Sequence, residues 1–192
     1  VSEVDVGINN ERIEKIAGNI SSEARNEIDL QGKLLIPGLI DDQVHFREPG
    51  LTHKGEIATE SKAAIAGGVT SYFEMPNVNP NTSTIENLEK KFDIAANKSY
   101  ANYSFYLGAT NDNIEEIKKS DPNASCGLKV FMGASTGDLL VDKYESLEKI
   151  FEHCPTNIVT HCEDPKRLIE NENIFQEKYG DQVHACLLYT SP

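Results

Sequence analysis

Between residues 39 and 161 the chain repeats one rhythm, strand then loop then helix, and that rhythm constrains the fold more than any other feature. Short apolar, strand-forming runs stand at 39–45, 70–75, 101–107, 127–131 and 157–161. Helical patterns lie between them. Ile57, Ala58, Ala64 and Ile65 share one helical face, and Gly67-Gly68 stops that helix. Ser83-x-x-Glu86 reads as a capping box, and Asp112-x-x-Glu115 and Asp142-x-x-Glu145 as acidic relatives of it. Asp164-Pro165 places a capping residue before a proline at the first helical position. Alternation of this kind predicts parallel strands with helices outside them. The spacing narrows the choice. His45 and Asn77 are 32 positions apart, and so are Lys129 and His161. A (β/α)8 barrel of about 250 residues averages roughly 31 per unit. The expected class is therefore α/β, the first part of a TIM-like (β/α)8 barrel, with about five of its units in this chain. A doubly wound open sheet would want a GxGxxG turn after its first strand, and none is present.

Residues 1–36 differ in character. Val4 to Ile8 and Arg12 to Ile16 alternate apolar with polar around Asn9-Asn10, the pattern of a hairpin with one wet face. A short strand fits Lys33 to Ile36 before Pro37-Gly38 breaks the chain. The expected organisation is a partial small β module at 1–36, barrel units at 37–183 and a doubtful tail at 184–192. Cys186-Leu-Leu-Tyr-Thr-Ser-Pro192 fits no element and resembles translated adapter sequence. With no initiating Met at Val1, both ends read as cut.

Composition excludes some functions. A formal charge of -13 leaves no excess of Lys and Arg to neutralise nucleic-acid phosphates. No apolar run nears the roughly 18 residues of a membrane span. Cys126, Cys154, Cys162 and Cys186 lack CxxC spacing, so they read as reduced, structural thiols of a cytoplasmic protein.

Four polar residues fall at the carboxyl ends of separate expected strands: His45, Asn77, Lys129 and His161. In a barrel those ends form one face, where residues distant in sequence converge. Gln43 projects to the same side as His45. Neutral imidazole is a common zinc ligand, although either histidine alone could be a hydrogen-bonded structural residue. Lys129 lies in Gly127-Leu128-Lys129-Val130-Phe131, a run apolar enough to be buried on both faces. A lysine there can form a salt bridge, serve as a catalytic amine, or snorkel to solvent. Arg47 and Asn77 suit an anion, with a bidentate fork and a directed amide donor. Arg47 could equally pair with Glu48, and Asn77 could be a turn residue. His53 and His153 read as exposed, and His184 lies too near the tail to carry a role.

The stretch from Ile36 to Gly50, Ile-Pro-Gly-Leu-Ile-Asp-Asp-Gln-Val-His-Phe-Arg-Glu-Pro-Gly, closely resembles the dihydroorotases. These belong to the amidohydrolase superfamily, together with hydantoinases, dihydropyrimidinases and allantoinases. The resemblance continues through Ala66 to Thr70, Glu74 to Asn77, Gly127 to Gly133 and Thr160 to Glu163. It implies a metal-dependent hydrolase barrel with a small β module built from both chain ends. It also implies one or two Zn2+ ions, with His45 and His161 as ligands and carbamylated Lys129 as a bridge. Arg47 and Asn77 would hold the substrate carboxylate. The implied reaction is the reversible opening of dihydroorotate to N-carbamoyl-aspartate, a step of pyrimidine biosynthesis.

Two departures stand out. The family's strand-one motif is His-x-His, whereas this chain reads Gln43-Val44-His45. Glutamine offers zinc a weaker oxygen donor, so Gln43 is at most an alternative ligand. A further histidine ligand and the proton-shuttling aspartate would lie beyond Pro192, which leaves no catalytic acid or base within the chain and implies an inactive fragment. Two other readings follow from the same resemblance. One is a non-catalytic homologue that partners aspartate transcarbamoylase. The other is a hydantoinase-, dihydropyrimidinase- or allantoinase-type hydrolase. The family also implies a homo-oligomer.

Overall fold

The computed structural model describes residues 2–133, 135, 137–182 and 184. The expected tail at 184–192 thus lies outside the described residues, apart from His184. The chain divides into two compact units, Val1–Pro37 and Gly38–Pro192.

The first unit holds an antiparallel hairpin of β1 (Asp5–Asn9) and β2 (Arg12–Ala17). Asn10 and Glu11 both take positive φ, 48° and 65°, as a two-residue turn matched to strand twist requires. The expected dry face does not form: Ile8, Ile13 and Ile16 are all exposed. Two strands alone have nothing to bury a face against. The strand expected at 33–36 is also absent. A turn closes there instead, with the Lys33 amide donating to the Leu30 carbonyl at 2.9 Å.

The second unit is one parallel sheet of β3 (Leu39–Val44), β4 (Val69–Glu74), β5 (Asn102–Gly108), β6 (Gly127–Phe131) and β7 (Ile158–His161). Their spatial order is their sequence order. That settles the rival topologies: a doubly wound sheet reverses direction at a switch point, whereas a barrel adds each strand beside the last. The register steps as a barrel's does. β5 pairs with β4 through residues 102–105 and with β6 through 106–108. Five strands make a partial barrel whose edges are open: Leu39 and Ile40 on β3 are exposed.

Four helices follow strands, α1 (Ile57–Ala66), α2 (Ile85–Lys98), α4 (Tyr144–His153) and α5 (Pro165–Tyr179), and a single turn, α3 (Ile114–Ile117), stands between β5 and β6. Among the described residues no helix is long and apolar enough to cross a membrane. Two apolar clusters fill the layer between helices and sheet. One gathers Phe46, Ile57, Tyr72, Leu88, Ala95 and Phe105; the other gathers Leu107, Ile117, Leu128, Val130, Val141 and Ile150.

Helix starts are where local signals were overruled. Thr84, not Ser83, caps α2, its hydroxyl accepting the Asn87 N–H at 3.1 Å, and Glu86 instead pairs with Lys90. The Ile85 N–H is taken by Glu116 from α3 at 2.9 Å, so a tertiary partner replaces the local box. Asp112 and Asp142 cap nothing; Asp142 accepts from the Asn111 amide at 2.9 Å. Asp164 does cap α5, accepting from the Lys166 and Arg167 N–H groups at 3.1 Å each. On α1 the buried residues are Ile57 and Ser61, with Ala64 packed beside them, while Ile65 is exposed. Gly67 ends that helix as expected, its N–H bonding Ala63 and Ala64 carbonyls at 3.0 Å each.

Candidate active site at the carboxyl ends of the strands

Strand period decides which side chains share a face. Val44 and Phe46 pack into the helix-side core, so Gln43 and His45 face the other way. Leu128 and Val130 face the helices, which turns Lys129 and Phe131 to the opposite face. Ile158 packs on the same helix-side cluster, so His161 joins Lys129 and Phe131. The Phe131 and His161 rings lie 6.1 Å apart, and the Lys129 ammonium stands 5.2 Å from the Phe131 ring centre. His45, Lys129 and His161 therefore occupy one face of the sheet, at or near the strands' carboxyl ends.

Lys129 is 2% exposed, on a strand whose five residues are all buried. Among the described residues its ammonium has no ion pair and no hydrogen bond. Burial lowers its pKa, and only the nearby Cys162 thiol opposes that shift. Burial therefore makes the charged form costlier than it is for a lysine in water.

His45 Nδ1 is 2.9 Å from Asn77 Oδ1. An amide oxygen can only accept, so Nδ1 carries the proton and Nε2 keeps a free lone pair. Burial, then the Arg47 charge, lowers the His45 pKa, while the Asn77 bond raises it. Asn77 is thus more than a turn residue. Arg47 Nη1 donates to the Asn77 carbonyl at 3.3 Å, which draws guanidinium, side-chain amide and imidazole into one cluster. Glu48 does not claim Arg47. It accepts the Ile57 N–H at 2.9 Å at the start of α1 and pairs with Lys98 at 2.5 Å. His161 Nε2 lies 3.3 Å from Glu163 Oε1, and His53 and His153 are exposed. Gln43 is exposed beside His45, with its N–H bonded to Asp41 at 3.1 Å.

Two residues beneath this cluster were assigned no role from the sequence. Glu74, at the end of β4, and Lys91, on the sheet-facing side of α2, are both fully buried and lie 3.0 Å apart. A lysine on the same helical face as Leu88 and Ala95, opposite a strand-end glutamate, was the available clue.

The loops bearing Arg47 and Asn77 are pressed together at Gly50. It takes φ 81°, and a Cβ there would lie 2.0 Å from the Asn79 carbonyl oxygen. Gly50→Ala is therefore expected to destabilise the full-length protein by about 1–3 kcal/mol, read from denaturant midpoints.

Among the described residues no three His, Cys, Asp or Glu side chains converge into a metal-holding group. The donor chemistry fits a metal only if Lys129, buried and without a counter-ion, becomes a carboxylate-like ligand beside the two imidazoles.

Residues 32–124 match the family model described as dihydro-orotase-like. A dihydroorotase of Methanothermobacter thermautotrophicus is 33% identical over 186 residues, 95% of this chain and 41% of that protein. An allantoinase of Streptomyces avermitilis is 34% identical over 145 residues, covering 73% of this chain and 33% of its own length. The solved L-hydantoinase (dihydropyrimidinase) of Arthrobacter aurescens superposes with a TM-score of 0.84 at 27% identity, over 93% of this chain and 41% of that one. The chain thus spans about two fifths of the first of these relatives. A partial barrel of sequential parallel strands, with this polar cluster at the strand ends and these similarities, places the chain in the dihydroorotase-like family of cyclic amidohydrolases.

Proposed function

We propose that the full-length protein is a zinc-dependent hydrolase that opens the ring of dihydroorotate to N-carbamoyl-aspartate, reversibly, in pyrimidine biosynthesis. The observation that carries this reading is the Arg47–Asn77–His45 cluster. The Arg47 guanidinium lies against Asn77, whose side-chain oxygen accepts from His45 Nδ1, and this supports reading Arg47 as an anion-binding fork beside an imidazole whose Nε2 could bind a metal. A ring carboxylate would be gripped by the Arg47 guanidinium and the Asn77 amide N–H. His45, His161 and carbamylated Lys129 would hold one or two Zn2+ ions. Carbamylation joins the neutral amine to carbon dioxide and releases one proton. Bound there, zinc supplies Lewis-acid polarisation of the ring carbonyl. The chain's own residues orient the ring: Asn77 fixes the His45 tautomer while its N–H groups remain available to substrate. Proton transfer would fall to an aspartate on a later strand, outside this chain. A cytoplasmic, homo-oligomeric enzyme is part of the same proposal.

The test is turnover of dihydroorotate by the full-length protein with zinc supplied. His161→Ala is expected to lower kcat by at least about 100-fold, since ligand loss removes transition-state charge stabilisation. If hydantoin or allantoin, which carry no ring carboxylate, is opened faster than dihydroorotate, the substrate assignment is overturned.

Gln43 favours a second reading. A glutamine in place of a histidine ligand is what a non-catalytic homologue partnering aspartate transcarbamoylase would carry. Folded full-length protein that retains no zinc, opens no cyclic amide and co-purifies with the transferase would establish it.

A further inference from the structure

We propose that the buried Glu74–Lys91 pair is a positioning device for the anion grip: Glu74 holds the Arg47 backbone in a left-handed conformation and so aims its guanidinium at the substrate. The proposal rests on the reading of Arg47 as the carboxylate-binding residue. Arg47 takes φ 70°, a region in which a side chain with a Cβ is disfavoured. Such a conformation persists only where its surroundings over-determine it. Here the determinant is visible: Arg47 N–H donates to Glu74 Oε1 at 2.9 Å, across 27 positions of sequence. The turn is closed from the other side by the Leu51 N–H, which donates to the Arg47 carbonyl at 3.1 Å. From that backbone the guanidinium reaches the Asn77 carbonyl at 3.3 Å.

Glu74 is in turn fixed from beneath. Its Oε2 faces the Lys91 ammonium at 3.0 Å, close enough for an ion pair but without the alignment of a hydrogen bond. Lys91 also donates to the Met75 carbonyl at 3.0 Å and stands 5.0 Å from the Phe105 ring centre. Both side chains are fully buried, so neither can turn away to water. The pair spans β4 and α2, and its Glu74 carboxylate reaches the site loop through the Arg47 amide, with the neighbouring Phe46 amide also donating to it. A pair placed merely to neutralise charge would not need one carboxylate oxygen on a strained residue of the substrate loop.

The experiment uses the full-length protein and separates the acceptor from the charge. Glu74→Gln combined with Lys91→Met removes both charges but keeps an oxygen for the Arg47 N–H. Glu74→Leu combined with Lys91→Met removes the oxygen as well. With Arg47→Ala as the reference, the Leu–Met variant is expected to raise the KM for dihydroorotate by roughly 10- to 100-fold with a much smaller change in kcat, the scale of a lost substrate clamp. The Gln–Met variant is expected to recover most of that loss. Equal KM values in the two double variants, in a protein where Arg47→Ala does raise KM, would overturn the positioning role. An Arg47→Ala variant with unchanged KM would instead overturn the anion-grip reading. Hydrogen exchange of the Arg47 amide tests the device without any substrate. Protection should be present in the wild type and the Gln–Met variant and lost in the Leu–Met variant; equal protection in all three would overturn the proposal.

Discussion

Lys129→Met in the full-length protein is expected to abolish ring opening while leaving the fold, compared metal-free with the metal-free wild type, as stable as before or more so. The two halves of that result have separate physical origins. On the stability side, Lys129 sits on a strand buried from end to end, 2% exposed, with no ion pair or hydrogen bond among the described residues. An ammonium removed from water without a counter-charge is costly, and an apolar side chain of similar length relieves that cost. On the chemical side, methionine cannot form a carbamate, so the proposed metal-bridging ligand disappears. Removing an interaction worth several kcal/mol in the transition state corresponds to a fall of at least about 10³-fold in kcat/KM. Zinc content by elemental analysis should fall in parallel. A variant that loses both stability and activity would mark Lys129 as a structural lysine, and one that keeps activity would end its assignment as a ligand. A residue that costs stability where it stands is a candidate functional position.

How much of this was legible in the sequence depended on the range of the interaction. The parallel sheet came from a pattern of single-segment periodicities repeated at near-constant spacing, and each segment carries its own period. Lys129 could be singled out because it stands in an unbroken apolar run with Leu128, Val130 and Phe131, and such a run marks a strand buried on both faces. Features set by a distant partner were not legible. The start of α2 shifted by one residue because Glu116, from another element, reached the Ile85 amide. The dry face of the β1–β2 hairpin was read from alternation, yet alternation says only which side chains share a face, not that anything covers them. Glu74 was visible only as part of a family-like motif, Glu74 to Asn77, and Lys91 only as one charge among many on an acidic chain. Their meeting across 17 positions, 74 to 91, needed the packing of α2 on β4. His45 and Asn77 were each placed at a strand end, but the hydrogen bond that makes them one unit is a product of neighbouring strands in register.

Glu74→Ala, made alone, is expected to be the most destabilising single substitution in this half of the barrel, by about 3–5 kcal/mol, because it leaves the Lys91 charge buried without its partner. Burial raises the Glu74 pKa and lowers that of Lys91, each against the other's attraction. The double substitution Glu74→Ala with Lys91→Met should recover much of the loss, since it removes the stranded charge as well as the partner. The pH dependence follows from the same geometry. In Glu74→Ala, Lys91 loses the carboxylate that favoured its charged form, so its folded-state pKa drops further below the ordinary lysine value of about 10.4. Between those two values the unfolded chain binds more protons than the folded one, so stability rises with pH across that window. Below the depressed pKa the lysine is charged in both states and the full penalty is present. Denaturant midpoints of Glu74→Ala should therefore climb as pH increases toward 10, and the double variant should show no such climb. A flat profile in the single variant would mean that water reaches Lys91 once the carboxylate is gone. The pair would then be a replaceable packing element rather than the rigid base on which the Arg47 loop stands.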